Sequence, residues 1–217
     1  MNTVPPIDAS ALRSAIARRV AFRTESQNPD RAAELRAYLT EEIGPTLAAL
    51  GFDWTLWDNP VDGRPPLLFA ERIEDARRPT VLMYGHGDVV PGYDAQWREA
   101  ASPWTLEARG NRWYGRGTAD NKGQHSINLA AIEHVLRGRG ALGCNIKWLF
   151  EMGEEVGSPG LRKVCEARGR ELAADVLIAS DGPRLRSDLP TLFLGSRGAF
   201  NFVLDCNLRE GGHHSGN

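Results

Sequence analysis

The stretch Thr80-Val81-Leu82-Met83-Tyr84-Gly85-His86-Gly87-Asp88 decides how the chain is read. Residues 80–84 form a short apolar run closed by glycine, the pattern of a strand. His86 and Asp88 follow it at once. In open α/β sheets ligands bind at the carboxyl ends of strands, so His86 stands where a site would be. A metal-bound imidazole needs its other nitrogen held by an acceptor, usually a carboxylate, and Asp88 is close enough in sequence to serve. Taken alone, a His-x-Asp step is a weak signal and reads first as a structural or turn pair.

Working outward from this strand, the same kind of run recurs. Residues 54–57 and 66–70 before it, and 145–150 and 175–179 after it, are short, apolar and bounded by Gly, Pro or Asp, and read as strands. Between them lie helical patterns. Leu12, Ile16, Val20 and Phe22 space like one face of an opening helix, with Asp8 or Ser10 as its cap. Further helices are expected over residues 30–50, stopping near Gly51, over 122–136 and around 161–168. Alternation of this kind predicts an α/β domain with a mostly parallel central sheet flanked by helices.

Beyond Gly195-Ser196-Arg197-Gly198 the pattern changes. Phe200, Phe202, Leu204, Cys206 and Leu208 alternate strictly, as in a strand with one buried face. Residues 1–194 are therefore expected to form one domain and 195–217 the start of another. Two dozen residues cannot bury a core, so the sequence reads as cut off inside that second domain.

Composition narrows the partners. The 217 residues carry 26 basic and 28 acidic groups, a formal charge of -2, which gives no reason to expect nucleic acid or an anionic membrane. No apolar run has the length of a signal-peptide core or a membrane span. Cys144, Cys165 and Cys206 are odd in number and far apart, so neither a disulfide frame nor a zinc knuckle is expected. They read as reduced thiols of a cytoplasmic protein.

Three further motifs present acids at strand–loop junctions. In Gly115-Arg116-Gly117-Thr118-Ala119-Asp120-Asn121-Lys122-Gly123, Asp120 stands at a helix entry. It reads either as an N-cap or, given three glycines, as a residue in unusual backbone geometry. In Phe150-Glu151-Met152-Gly153-Glu154-Glu155-Val156-Gly157-Ser158, two adjacent carboxylates follow an apolar strand. Burying them together without a cation is unfavourable, although a solvated acidic loop would also fit. Asp181, in Ile178-Ala179-Ser180-Asp181-Gly182-Pro183, follows another strand at a forced turn. As a set, one imidazole and several carboxylates suit a divalent metal that polarises a carbonyl and lowers the pKa of water. His125 and His134 fall in the helix after Asp120 and read as structural.

These four motifs, in this order, resemble the signatures of the zinc metallopeptidase family M20, which includes carboxypeptidase G, acetylornithine deacetylase, succinyl-diaminopimelate desuccinylase, aminoacylase and carnosinase-type dipeptidases. The resemblance implies a zinc-exopeptidase-like catalytic domain holding two divalent metal ions, zinc or else manganese or cobalt. His86 and Asp181 would hold one ion, Asp120 would bridge both, and Glu155 would bind the other. Asp88 would orient His86, and Glu154 would be the general base. The Asp120–Asn121 peptide bond is often cis in the family. The family also carries an inserted α+β lid used for dimerisation, whose first strand residues 195–208 resemble. His213-His214-Ser215-Gly216 resembles the lid's His-Ser-Gly, with His214 the better match for the histidine that reaches the substrate carbonyl, and His213 the fallback.

One departure matters: the family's remaining ligand is a histidine near the C-terminus, and no histidine follows His214. The chain is therefore expected to belong to a longer homodimeric protein and to be inactive by itself. The reaction implied is hydrolysis of an amide bond in a small peptide. The alternative within the family is deacylation of an N-acyl amino acid. A non-catalytic metal-binding or interaction protein is the rival of another class, and an α/β domain whose acids are turn residues is a third.

Overall fold

A computed structural model describes residues 6–98, 101–186, 188–195, 198, 200 and 202–206. The chain divides into two compact units, Met1–Asp181 and Gly182–Asn217.

The first unit is built on a five-stranded sheet: β1 (Asp53–Trp57), β2 (Leu67–Arg72), β3 (Thr80–His86), β6 (Asn145–Glu151) and β7 (Val176–Ala179). Their order is β1-β2-β6-β3-β7. The pairs β3–β6 and β3–β7 are parallel, whereas β2 is antiparallel to both of its neighbours. Four strands thus run one way and β2 alone is reversed, which is a mixed sheet of mainly parallel direction. The reversal follows from the connections: β1 and β2 are joined by nine residues without a helix, too few for a parallel crossover. A two-stranded hairpin, β4 (Glu107–Arg109) and β5 (Arg112–Tyr114), stands apart from the sheet.

Alternation along β6 divides the core. Ile146, Trp148 and Phe150 face a cluster with Tyr38, Leu39, Ile43, Leu47 and Leu129, whereas Leu149 joins Trp57, Leu67, Phe69 and Val164 on the other face. Trp148 and Phe150 stack with centroids 4.9 Å apart and are fully buried. Burying a side chain of this size contributes roughly 1.5–3 kcal/mol.

The helices behave as their sequences dictate. Helix α1 (Ala9–Ala21) begins at Asp8, whose carboxylate accepts from the Ser10 and Ala11 amides at 2.8 and 3.1 Å. The uniform helix expected over residues 30–50 is broken into a 3-10 turn at Pro29–Arg31, α2 (Ala32–Ala37), a π-helical turn at Tyr38–Ile43 and α3 (Gly44–Ala49). Pro45 supplies the reason: it has no N–H to continue an i→i−4 ladder, and the backbone widens just before it. Helix α4 (Lys122–Arg139) is the longest and closes on Gly140 in the left-handed region, whose N–H reaches the Leu136 carbonyl at 2.8 Å. Helix α5 (Leu161–Ala167) leads toward β7. Among the described residues no helix is long and apolar enough to cross a membrane.

In the second unit, Arg186 and Leu189 form an isolated bridge and Arg186 pairs with Asp188 at 2.6 Å. Of the strand expected over 199–208, the described residues 200 and 202–206 carry no ladder. Alternation specifies which face a strand would bury, but a ladder also needs a partner's backbone. His213 and His214 lie outside the described residues.

Candidate metal centre

Three parallel strands deliver the predicted residues to one edge of the first unit. β3 ends at His86, which pairs in register with Glu151 at the end of β6, and Asp181 follows β7 by two residues. Asp120 comes from the loop that opens α4, and the Asp120–Asn121 peptide bond is cis.

His86 is the centre of the arrangement and is wholly buried. Its Nε2 stands 3.0 Å from Asp120 Oδ1, 3.6 Å from Asp181 Oδ2 and 3.9 Å from Glu154 Oε2. Its Nδ1 faces Asp88 alone, 3.1 Å from the backbone carbonyl and 3.3 Å from Oδ1. The Asp88 carboxylate also accepts the backbone N–H of Glu154 and of Glu155, each at 3.1 Å. One residue therefore fixes both the imidazole and the turn that carries the two glutamates.

The loop is held from behind as well. Thr24, just past α1, donates its hydroxyl to the Gly87 carbonyl at 2.6 Å and accepts the Val89 N–H at 2.9 Å. Gly87 is needed for this packing: a Cβ there would stand 2.5 Å from Tyr38 and 2.7 Å from the Met152 sulfur. At Gly123 a Cβ would run into the Thr118 carbonyl, so the turn leading from Asp120 into α4 closes only around glycine.

His86, Glu154 and Asp181 offer ligand atoms that all lie within 4.8 Å of one another, and Asp120 adds a fourth group against the imidazole. Among the described residues, the ion pairs of Asp88, Asp120, Glu154 and Asp181 all go to His86. Glu154 and Glu155 lie on a 3-10 turn, Glu154–Val156, so successive side chains diverge, and only Glu154 comes within ion-pair range of His86.

The electrostatics show an excess of negative charge. Burial raises the pKa of Glu154, Glu155 and Asp181 against the opposing pull of His86, and Asp120 adds repulsion to each. Burial works against a charged His86, yet hydrogen bonds to Asp120 and Asp88 prevail and push it up to about 11. The hydrogen bond to His86 holds Asp120 low. The proton on Nε2 thus occupies the place where a cation is demanded, and a metal would compete with it. Carboxylate oxygens and one imidazole nitrogen, converging with too little positive charge, fit a divalent ion.

Some residues at this edge were not picked out by sequence reasoning. Tyr84 donates to Glu151 Oε1 at 2.7 Å and Ser158 donates to the same atom at 2.8 Å, beneath the glutamate turn. The available signal was that Tyr84 and His86 share one face of β3.

Residues 82–215 match the profile of Peptidase family M20/M25/M40. The chain is 36% identical over 172 residues to the cysteinylglycine-S-conjugate dipeptidase of Corynebacterium striatum, covering 78% of this chain and 37% of that protein. It is 34% identical over 155 residues to the beta-Ala-His dipeptidase of Mus musculus, covering 70% of this chain and 31% of that one. The solved structure of human carnosine dipeptidase 1 superposes with a TM-score of 0.75 at 27% identity, over 80% of this chain and 38% of that chain. An M20 family metallo-carboxypeptidase from Sulfolobus solfataricus gives 0.65 at 28% identity, over 80% and 37%. The chain belongs to Peptidase family M20/M25/M40, and spans about a third of the length of these curated relatives.

Proposed function

We propose that this chain supplies the metal-binding catalytic core of a hydrolase that cleaves the amide bond of small peptides, dipeptides foremost. The carrying observation is His86 Nε2 facing Asp120, Asp181 and Glu154 at 3.0, 3.6 and 3.9 Å in a member of this peptidase family. The relatives named above as dipeptidases direct the choice of substrate.

In this reading His86, Asp120, Asp181 and Glu155 hold two divalent ions, zinc or else manganese or cobalt. Such ions polarise the scissile carbonyl and make water acidic enough to attack at neutral pH. Asp88 keeps a proton on Nδ1 of His86, so that Nε2 is presented to the site. Glu154 takes the water's proton and delivers it to the leaving amine. Its raised pKa, caused first by burial, suits both halves of that transfer. Residues 195–217 begin a lid through which two copies pair, and His214 steadies the developing oxyanion. The unpaired thiols of Cys144, Cys165 and Cys206 accord with a reducing, cytoplasmic setting.

The test pairs two substitutions in the longest available reading frame, loaded with zinc, manganese or cobalt and assayed on dipeptides and N-acyl amino acids. Glu154→Gln is expected to keep its metal content and lose about 10²–10⁴ of turnover. Glu155→Gln is expected to lose metal first. Near-normal turnover by Glu154→Gln at saturating metal removes it as the base, and turnover confined to N-acyl amino acids makes the protein a deacylase.

A further inference from the structure

Behind the acidic edge, a chain of buried polar groups runs from a helix to the metal loops. Tyr38, His125 and Asn121 are each almost wholly excluded from solvent. Tyr38 Oη stands 2.7 Å from His125 Nε2, and His125 Nδ1 stands 3.2 Å from Asn121 Oδ1. Asn121 Nδ2 in turn donates to the Ser180 carbonyl at 2.7 Å. Asn121 adjoins Asp120 and Ser180 adjoins Asp181. The chain therefore ends on the immediate neighbours of two carboxylates that face His86 Nε2 at 3.0 and 3.6 Å.

Its polarity is determined by its last member. The Ser180 carbonyl can only accept, so the Asn121 amide nitrogen points to it and Oδ1 turns to His125. Nδ1 must then carry the imidazole's hydrogen, leaving Nε2 to accept from the Tyr38 hydroxyl. That assignment needs a neutral imidazole, and burial depresses the His125 pKa well below the ordinary value. Each contact has one donor and one acceptor, as a buried network requires.

Aromatic rings and one buried cation surround the relay: the His125 ring meets the Phe150 ring edge-on at 5.3 Å, Tyr38 meets Phe22 edge-on at 5.4 Å, and the Lys122 ammonium lies 5.0 Å from the Tyr38 ring centroid. A site serving only to fill this core would take leucine or phenylalanine without leaving polar atoms to match. At Gly85, a Cβ would stand 3.3 Å from Asn121 Oδ1 and 3.5 Å from His125 Cβ, so the absence of a side chain on β3 lets the relay lie against the strand that bears His86.

We propose that His125, clamped by Tyr38, is a positioning residue for the metal centre: through Asn121 it ties the loop of Asp120 to the loop of Asp181 and so sets the spacing of their carboxylates. The inference rests on the metal reading above for its consequence, though its geometry stands without it. Partners behind metal ligands typically govern 10–100-fold of metal affinity.

The experiment compares His125→Asn with His125→Gln and adds Tyr38→Phe, all in the full chain. Asparagine can place an amide nitrogen where Nδ1 donates to Asn121, whereas glutamine places its polar end toward Tyr38. Two quantities are read: Co²⁺ affinity by competition with a chromophoric chelator, and hydrogen exchange of residues 117–123 and 178–181 without metal. Glutamine is expected to weaken Co²⁺ binding 10–100-fold and speed exchange in both loops, with the second half of α4 unchanged. Asparagine is expected to restore most of both, and Tyr38→Phe to fall between them. Equal Co²⁺ affinity and equal loop exchange in the two His125 variants would overturn the proposal, as would loss of protection spread evenly over the whole chain. Should the unsubstituted chain bind no Co²⁺ while the loops still respond selectively, the metal reading fails and the tie between the loops stands.

Discussion

The two ends of β3, β6 and β7 are both crowded with carboxylates, yet they are chemical opposites. At the amino ends, Glu74 accepts the Leu142 and Gly143 amides at 2.7 and 3.0 Å and pairs with Arg78 at 2.7 Å. Asp75 pairs with Arg77 at 2.8 Å, and the Asp175 carboxylate accepts the Thr80 amide at 2.7 Å. Backbone amides hold Glu74 below the usual carboxylate range, and the Arg77 guanidinium does the same for Asp75. At the carboxyl ends, Glu154, Glu155 and Asp181 are pushed upward by burial and mutual repulsion. An acid that the fold already satisfies is structural. An acid that the fold leaves in need of a cation marks a place where something must bind.

The contrast can be broken in order of effect. His86→Ala removes the group to which the acidic edge is paired, and Co²⁺ or Zn²⁺ affinity measured by chelator competition should fall by more than about 100-fold, beyond what losing an outer partner costs. Retained affinity would detach His86 from the centre.

At the opposite end Asn145→Ala should leave metal affinity alone and instead destabilise the chain by roughly 1–3 kcal/mol in urea unfolding, as part-buried backbone amides and carbonyls lose their partner. Asn145 accepts the Glu74 and Asp75 amides at 2.8 and 3.2 Å and donates to the Asp75 and Arg78 carbonyls at 2.9 and 3.1 Å.

A pH series sharpens the position of His125. Its folded pKa is depressed, first by burial and then by Arg19, His86 and Lys122, so below about pH 6.5 the unfolded chain takes up the proton and the folded chain does not. The stability it contributes is present above pH 6.5 and is lost as pH falls, at up to about 1.4 kcal/mol per pH unit. The difference in unfolding free energy between the unsubstituted chain and His125→Asn, measured from pH 7.5 to 5, should therefore shrink on acidification. A constant difference would mean that His125 does not titrate between the two states.

The smallest effect is the most direct comparison, one chemical change made at both ends. Asp181→Asn relieves repulsion and should raise the unfolding free energy of the metal-free chain by roughly 0.5–2 kcal/mol. Asp75→Asn should lower it. Shifts of the same sign would erase the distinction between the two ends.

Much of this arrangement was legible because the informative features are local. The strand at 80–84, the acids at 120, 154–155 and 181, and a cap at Asp8 or Ser10 each follow from a few adjacent residues. The features that escaped notice depend on partners far away or on patterns too short to count. The hairpin 107–109/112–114 offers three residues a side, below the length at which alternation can be recognised, so that its two-residue turn, Gly110-Asn111, was the one signal it gave. The π-helical turn at 38–43 has no periodicity of its own. His125 could be recognised as a structural histidine in α4, but its task depends on Tyr38, 87 positions away, and on Ser180, reached only through Asn121.

Asp88 is the pivot on which this edge turns. Its carbonyl and one carboxylate oxygen lie against the His86 ring, while the two carboxylate oxygens carry the Glu154 and Glu155 amides. The imidazole and the glutamate turn thus share a single anchor, and any displacement of Asp88 carries both along together. Their mutual geometry is therefore insulated from slippage between β3 and β6. The sequence interval 86–88 has no freedom to lengthen, because one added residue would part the ring from the turn.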